Sequence, residues 1–352
     1  MSSAERVGRA GHGQLIGTSI TLALLGARDK GHLAVPLRQR FTLGTVRLEL
    51  IPSGRGFGAA ALHVDITGKT VLYAGAVRTT AGGVGDAAEL RTCDAVVVAA
   101  PFGEPRHRFP ALTTAIDATI DWTRDQLALD RRPVLFVDTP LDGLEVASRL
   151  AAEGIALAAG RTLRDAAQRI ADLVPAPQII DGAVAIGHTI TPRAIGREPR
   201  TTGRDARPAA DPAATAKLAR GSHSRLNELR PALATDAGSG IPALVAPGRE
   251  PRAIIWLDAD RAGLLKAVGD RPFATALVSG RAIHGSAGYD AGFVWASAAD
   301  RAQLLGWIEA TGARDVFVTG ACAEAIVAAV GGRARVIGPP HQMSLFPGEA
   351  FS

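Results

Sequence analysis

The alternation of short apolar runs with amphipathic stretches, from about residue 132 onward, constrains the fold of this chain more than any other feature. Pro133–Val137 is an uninterrupted apolar run of strand length, and Asp142–Ala152 behind it has helical spacing. A strand at Ile155–Ala158 and an amphipathic helix at Arg161–Leu173 follow. Strands that alternate with helices predict a parallel sheet with helices packed against it.

The alternation is broken once and then resumes. The break, 192–215, holds four prolines and five arginines and almost no large apolar residues. That composition predicts a mobile loop, either a solvated linker or a phosphate-binding arm. Beyond it we predict strands at Arg252–Leu257, Ala274–Ser279, Asp315–Thr319 and Ala334–Ile337, and helices at Ala259–Val268, Ala299–Thr311 and Ala321–Val330.

The first third of the chain is rich in strand patterns. Val46–Ile51 alternates or runs apolar, and Ala61–Ile66 pairs naturally with Thr70–Ala74 across a Thr-Gly-Lys turn. Asp94–Ala100 is a short apolar run typical of a buried strand, and Leu112–Leu129 has helical spacing. The chain as a whole is therefore expected to be α/β.

Arginine supplies almost all the positive charge of the chain. Lysine and arginine together number 39 against 34 acidic residues, which gives a net charge of +5. Arginine suits phosphate because its planar fork can donate to two oxygens at once. A GC-rich codon bias explains the same composition, so a modest nucleic-acid affinity is one of two interpretations.

Cysteine usage and hydropathy favour a cytoplasmic protein without a membrane span. Cys93 and Cys322 are the only cysteines, too few for a disulfide framework or a zinc finger. No run of about 18 apolar residues is present, and the first residues lack the apolar core of a signal peptide.

Six blocks of residues spread along the chain carry a specific resemblance. They are PSGRGFGAA at 52–60, VLYAGAVR at 71–78, DAVVVAAPFG at 94–103, ALVSGRA at 276–282, GFVWASAAD at 292–300 and VTG at 318–320. Taken in this order, the blocks resemble those of the metallo-β-lactamase/β-CASP nucleases. Within that family, the pattern is most similar to that of the bacterial DNA ligase-associated exonucleases. Those proteins are also described as messenger-RNA 3′-end-processing-factor-like.

The resemblance implies a metal centre whose ligands this chain has replaced. The family binds two zinc or manganese ions through conserved ligands. A His of the family falls at Arg55 of this chain and an Asp falls at Ala76. Further along, an Asp and a His fall at Ser297 and Ala298, and a His falls at Thr319. A Glu and a Thr of the family fall at Ala99 and Pro101. Arg55 opposes cation binding, and its guanidinium could instead pair with a phosphate.

The main signature of the family, His-x-His-x-Asp-His, should precede Arg9-Ala10-Gly11-His12. Only Ser2, Ser3, Glu5 and Arg6 are available there, which indicates a truncated start or a decayed motif. A missed upstream start would not restore the five internal positions. We therefore expect neither catalytic residues nor a bound metal.

The implied fold is an αββα metallo-β-lactamase sandwich with an inserted β-CASP α/β domain. The first part of the sandwich is expected at 1–111, the insertion at 112–285, and the return with the C-terminal tail at 286–352. Both ends of the chain contribute to one domain in this arrangement.

The implied function is that of a catalytically inactive homologue of a ligase-associated exonuclease, a binding or scaffold protein in DNA repair. Two alternatives stay open, namely an active metal-dependent phosphodiesterase with a rebuilt site and a structural subunit of an active paralogue. DNA, a DNA ligase, a helicase and the paralogue are the candidate partners.

Two short segments outside the metal positions are candidates for binding. Arg106, His107 and Arg108 form either an exposed basic loop or a nucleic-acid contact, and none of the eight histidines has metal-ligand spacing with another. Near the C-terminus, Gln342-Met343-Ser344-Leu345-Phe346 resembles the peptides that bind the bacterial sliding clamp. Leu345 and Phe346 would fill an apolar pocket and Gln342 would fix the register, or the tail packs on its own domain.

Overall fold

The structure is a computed structural model that describes residues 13–28, 31–181, 253–268 and 272–338, with the backbone alone at 265–268. The predicted loop 192–215 and the clamp-like tail at 342–346 lie outside these residues. The described chain is a mixed α/β protein, as the alternation of strands and helices predicts. Within these ranges no helix is both long and apolar enough to cross a membrane.

The strands form three sheets. In chain order they are β1 (Ile16–Gly17), β2 (Leu33–Ala34), β3 (Arg40–Leu43), β4 (Val46–Pro52), β5 (Ala60–Ile66), β6 (Lys69–Gly75), β7 (Ala95–Ala99), β8 (Arg132–Val137), β9 (Leu157–Ala159), β10 (Ile179–Asp181), β11 (Ala253–Leu257), β12 (Phe273–Val278), β13 (Ala291–Phe293), β14 (Asp315–Thr319) and β15 (Ala334–Val336).

Seven α-helices are present in the described ranges. They are α1 (Ser19–Leu24), α2 (Leu112–Ala128), α3 (Pro140–Ala152), α4 (Arg161–Ile170), α5 (Arg261–Val268), α6 (Arg301–Ala310) and α7 (Ala323–Val330).

A seven-stranded mixed sheet is built from the two ends of the chain. Its order is β15-β14-β7-β6-β5-β4-β3, with antiparallel pairing from β3 to β6 and parallel pairing from β6 to β15. The predicted hairpin of β5 and β6 is present, and Thr67 and Gly68 in its turn both have positive φ. Helices α6 and α7 pack on one face, where Leu304 and Ile326 meet Val96 and Val316.

A six-stranded sheet is formed by the segment between β7 and β14. Its order is β10-β9-β11-β8-β12-β13, and every pair is parallel. Helices α2, α3 and α4 contribute to the core on one face, and Leu264 of α5 packs with Val134 and Phe136 on the other. Because both faces are covered, β8 carries the uninterrupted apolar run that the sequence shows.

The boundaries of this inserted sheet differ from the expected segment 112–285. Strand β13, at Ala291–Phe293, pairs in parallel with β12 and therefore extends the six-stranded sheet beyond residue 285. The chain returns to the seven-stranded sheet through α6. A capping box starts that helix, since Asp300 accepts from the amide of Gln303 and the side chain of Gln303 accepts from the amide of Asp300.

Candidate functional site

A cavity of about 930 Å³ lies where strand ends of the two large sheets meet. Thr319 ends β14, Asp138 directly follows β8, and Gly75 ends β6, and all three residues line the cavity. In open α/β sheets, ligands bind at the carboxyl ends of parallel strands, where side chains from several loops converge. This cavity is therefore the candidate site.

The structure brings the five positions of the expected metal centre together around this cavity. Arg55, Ala76, Ser297, Ala298 and Thr319 come from four separate segments of the chain, and all of them line it. Ala99 and Pro101, which stand where the family has a Glu and a Thr, line it as well. The sequence blocks therefore meet in space although up to 264 positions separate them (Arg55 to Thr319).

Arg55 is a half-buried cation in the cavity wall. Its Nη2 donates to Ser297 Oγ at 3.5 Å, a long contact, and its Nε is buried without a hydrogen-bond partner. No carboxylate pairs with it among the residues that the structure describes. Gly54 fixes the loop, because its φ is +81° and a Cβ there would lie 2.0 Å from the carbonyl oxygen of Arg78.

The donor set at these five positions does not fit a two-metal centre. Two alanines offer no donor atom, two hydroxyls are weak ligands, and the guanidinium of Arg55 is itself a cation. Across the described ranges, no group of three or more His, Cys, Asp or Glu side chains is placed to hold a metal ion. We therefore derive no chemical step through a metal at these positions.

A charged cluster that the sequence analysis did not identify contributes Asp138, Arg281 and Tyr289 to the lining of the cavity. Arg281 donates from Nε to Asp138 Oδ1 at 2.8 Å and from Nη2 to Asp258 Oδ2 at 2.8 Å. Ser279 donates to Asp138, and the hydroxyl of Tyr289 donates to Asp258. The available sequence signal was the position of each aspartate, since Asp138 follows β8 and Asp258 follows β11.

Arg281 and Asp258 of this cluster are both held in their charged forms. The hydrogen bond to Asp138 is the largest influence on Arg281, and it raises the pKa of that guanidinium. Burial alone would raise the pKa of Asp258, but hydrogen bonds from Tyr289 and Arg281 outweigh burial and lower it. Arg281 therefore pairs with two carboxylates, whereas no carboxylate of the described residues pairs with Arg55.

The segment Arg106-His107-Arg108 does not behave as one basic loop. His107 is buried, with 2% of its surface exposed, so the interpretation as an exposed loop residue is wrong for it. Its Nδ1 accepts from the amides of Gly103 and Glu104 at 3.0 and 3.1 Å, which closes the turn after β7. Burial and the nearby His284 lower the pKa of His107, so the ring favours its neutral form.

The two arginines of that segment are exposed instead. Arg106 pairs with Glu104 at 2.7 Å, and neither Arg106 nor Arg108 lines the cavity. A contact of these arginines with nucleic acid would therefore lie outside the candidate site. The tail residues Gln342, Met343, Leu345 and Phe346 lie beyond the described part of the chain.

Comparison with known proteins leaves the family open. No protein-family model and no curated protein matches the chain. A crystal structure of a protein of unknown function from Enterococcus faecalis V583 is similar with a TM-score of 0.49 and 11% sequence identity, over 93% of this chain and 74% of that one. A likeness of this degree bears on neither the family nor the function of this chain.

Proposed function

We propose that this protein is a catalytically inactive relative of the metallo-β-lactamase/β-CASP ligase-associated exonucleases that binds nucleic acid through a phosphate in the cavity. It would serve as a binding or scaffold protein in DNA repair. The observation that carries the proposal is Arg55, a half-buried guanidinium without a carboxylate partner among the described residues, in the wall of a large cavity.

The chemistry of Arg55 favours a phosphate over other ligands. A guanidinium presents its donors in a planar fork that matches two phosphate oxygens. The contact of its Nη2 with Ser297 is long, so the terminal nitrogens of the guanidinium are available to a ligand, whereas Nε is buried. The hydroxyls of Ser297 and Thr319 line the same cavity and can donate to further phosphate oxygens.

The charged cluster around Arg281 bears on why binding is proposed without cleavage. Phosphodiester hydrolysis needs a group that activates water and a charge that stabilises the leaving oxygen. Asp138 and Asp258 are held by Arg281 and accept further hydrogen bonds from Ser279 and Tyr289. Asp258 does not line the cavity, and Asp138, which does, is held by Arg281 and Ser279.

Fluorescence anisotropy with a short single-stranded DNA that carries a 5′ phosphate tests the proposal. Replacing Arg55 with alanine removes a charge-assisted contact of about 1.5–3 kcal/mol, so we expect about a tenfold or greater loss of affinity. The slope of log affinity against log salt should also fall by about one. Arg161→Ala, an exposed arginine on α4 outside the cavity, is the matched control and should bind as the unaltered protein does.

Three outcomes would count against the proposal. An unchanged affinity of the Arg55→Ala variant would remove the phosphate site. Digestion of the oligonucleotide with added zinc or manganese, abolished by a point substitution in the cavity, would favour an active phosphodiesterase with a rebuilt site. Isolation of the chain in a stable complex with an active paralogue would favour the structural-subunit alternative.

A further inference from the structure

Tyr73 is a large aromatic side chain that lies open at the candidate cavity. It stands in β6 between Leu72 and Ala74, which are both buried, whereas 56% of its own surface is exposed. It lines the cavity, and among the described residues no other aromatic ring stacks on it. An aromatic ring that is left open in the wall of a pocket offers its face to a flat apolar group of a ligand.

A β-bulge shapes this part of β6. Tyr73 and Gly75 stand opposite Val97 and Val98, which are consecutive residues of β7, so one residue of β6 is extra. Gly75 has a φ of +62°, which glycine adopts without strain. Strict alternation would send Tyr73 and Ala76 to opposite faces of the sheet, yet both line the cavity. Bulges redirect side chains in this way beside binding sites.

The strand register separates the ring of Tyr73 from the proposed phosphate position. Thr319, whose hydroxyl is proposed to donate to the phosphate, pairs with Ala99 of β7. Tyr73 pairs with Val97, two residues earlier in the same strand. Two residues of a strand span about 7 Å, and β6 lies two strands, about 10 Å, from β14. A ligand that reaches both positions therefore needs an anionic group and a flat group several ångströms apart.

The size and lining of the cavity fit such a two-part ligand. Its volume of about 930 Å³ lies in the range of roughly 300–1,000 Å³ that holds whole small molecules, far more than one phosphate needs. Val97, Phe102 and Leu277 add apolar surface to that of Tyr73, and Arg55 supplies the cation without a carboxylate partner among the described residues. A nucleotide carries both kinds of group, a flat base and an anionic phosphate.

We propose that the cavity holds one unpaired nucleotide of a single strand, with its base stacked on Tyr73 and its phosphate at Arg55. This inference rests on the proposed function and adds the form of the nucleic acid. A base inside a duplex is stacked on its neighbours, so only an unpaired base presents its face to the ring. Every base has such a face, and Tyr73 therefore selects single strands without selecting a sequence.

Fluorescence anisotropy with two short 5′-phosphorylated strands of equal length tests the inference, one an oligothymidylate and the other the same backbone without bases. Tyr73→Ala should weaken binding of the oligothymidylate by about 5- to 150-fold, the loss expected when the platform for one base is removed. It should leave binding of the abasic strand unchanged. Tyr73→Phe keeps the ring and should bind both strands as the unaltered protein does. Leu43→Ala is the matched control, because Leu43 is 55% exposed in the same sheet but lies outside the cavity.

A loss with Tyr73→Ala that is confined to the oligothymidylate and is absent in Tyr73→Phe supports the inference. Three results overturn it: no loss with Tyr73→Ala, an equal loss for both strands, or a blunt duplex that binds the unaltered protein as tightly as the single strand does. Far-UV circular dichroism checks that each variant is folded. If Tyr73→Ala is not, Tyr73→Leu decides, because it keeps an apolar side chain without a ring.

Arg55→Ala in the same assay separates this inference from the proposed function. The loss of a phosphate contact should weaken both strands, because both carry the same phosphates. If Arg55→Ala weakens both strands and Tyr73→Ala weakens neither, the stacked base is overturned and the phosphate site stands. If the unaltered protein binds neither strand, both the inference and the proposed function are overturned.

Discussion

At the scale of single residues, the buried ion pair of Arg78 and Glu145 links the segment after β6 to helix α3. Arg78 follows β6, Glu145 lies on α3, and each side chain is 2% exposed. Arg78 Nη1 donates to both carboxylate oxygens at 2.8 and 2.9 Å, and Trp295 Nε1 donates to Glu145 at 3.3 Å. Burial raises the pKa of Glu145, and the charge and hydrogen bonds of Arg78 oppose that rise.

The glycine-rich stretch at 82–85 is explained by the same arginine. A Cβ on Gly83 would lie 1.8 Å from Arg78 Nη2, so a residue without a side chain is needed there. The carbonyl of Gly83 also accepts from Arg149 Nη2 at 3.1 Å. These glycines therefore make room for a buried arginine, which agrees with the lack of a phosphate-loop lysine in the sequence.

Removing Arg78 alone should destabilise the protein strongly. Arg78→Met leaves Glu145 buried without its partner, and breaking such a pair costs about 3–5 kcal/mol of unfolding free energy. The double variant Arg78→Met/Glu145→Leu removes both charges and should recover most of that loss. Urea denaturation measures both values, and a double variant no more stable than Arg78→Met would contradict this account.

At the scale of elements, one motif fastens neighbouring parallel strands in both large sheets. Asp94, before β7, accepts from the amide and the hydroxyl of Thr70 in β6 at 2.8 and 3.1 Å. Asp290, before β13, accepts from the amide and the hydroxyl of Thr275 in β12 at 2.7 and 2.9 Å. In each case the amide of the aspartate donates back to the threonine hydroxyl, so the start of a strand is fixed to its neighbour.

This motif predicts how stability depends on pH. The hydrogen bonds from Thr70 lower the pKa of Asp94, and those from Thr275 lower the pKa of Asp290. An aspartate whose pKa is lower in the folded state stabilises the protein at every pH above its unfolded-state pKa of about 3.9. This contribution is lost as the pH falls through the folded-state pKa of the same aspartate. The effect of the motif is therefore present at neutral pH and disappears in acid.

Thermal unfolding of Asp94→Asn should show this dependence. We expect a lower Tm than that of the unaltered protein at pH 7, and a difference that narrows once the pH falls below about 4. Asp117→Asn, on the exposed side of α2, is the control for a surface aspartate. A difference that stayed constant down to pH 2.5, below roughly the unfolded range of an aspartate, would show that the charge of Asp94 does not matter.

The longer elements were predictable from the sequence, and several of the shorter ones were not. Val46–Pro52 and Leu112–Ala128 carry their own periodicity, and the observed bounds lie within one residue of those expected. Ile16–Gly17 and Ala291–Phe293 are only two and three residues long, and tertiary pairing alone makes them strands. Local pattern cannot show such pairing, which is why β13 was not expected in the inserted sheet.

The candidate site was predictable only in part for a similar reason. Arg55 and Thr319 were singled out because they stand within blocks that resemble a known family, and the structure places both at the cavity. Asp138 and Asp258 do not stand in a recognisable motif. Arg281 forms its hydrogen bonds to both aspartates only because the fold brings the ends of β8, β11 and β12 together. The burial of His107 was missed because its partners are backbone amides, which leave no trace in the sequence.

At the scale of the whole molecule, the tail segment that resembles clamp-binding peptides predicts that this chain is tethered to the sliding clamp. The described chain ends at Gly338 beside β15, and the segment with Gln342 and Phe346 follows directly. Titration of the full chain against a bacterial sliding clamp should give about micromolar binding, typical of short peptide motifs with a few anchors. Gln342→Ala/Phe346→Ala should abolish it. Equal binding by this double variant, or none by the unaltered chain, would assign the tail to packing on its own domain.

The order of strands in the seven-stranded sheet has a consequence for how the chain is made. Strand β7 lies between β6 and β14, and β14 begins more than 200 residues after β7 ends. At about 5–20 residues per second, a ribosome needs between about 10 and 40 seconds to supply that partner. During this time the apolar edge of β7 has no strand to pair with, and such an edge invites pairing with other chains. This edge of β7 therefore stays unpaired until about the last tenth of the chain is made.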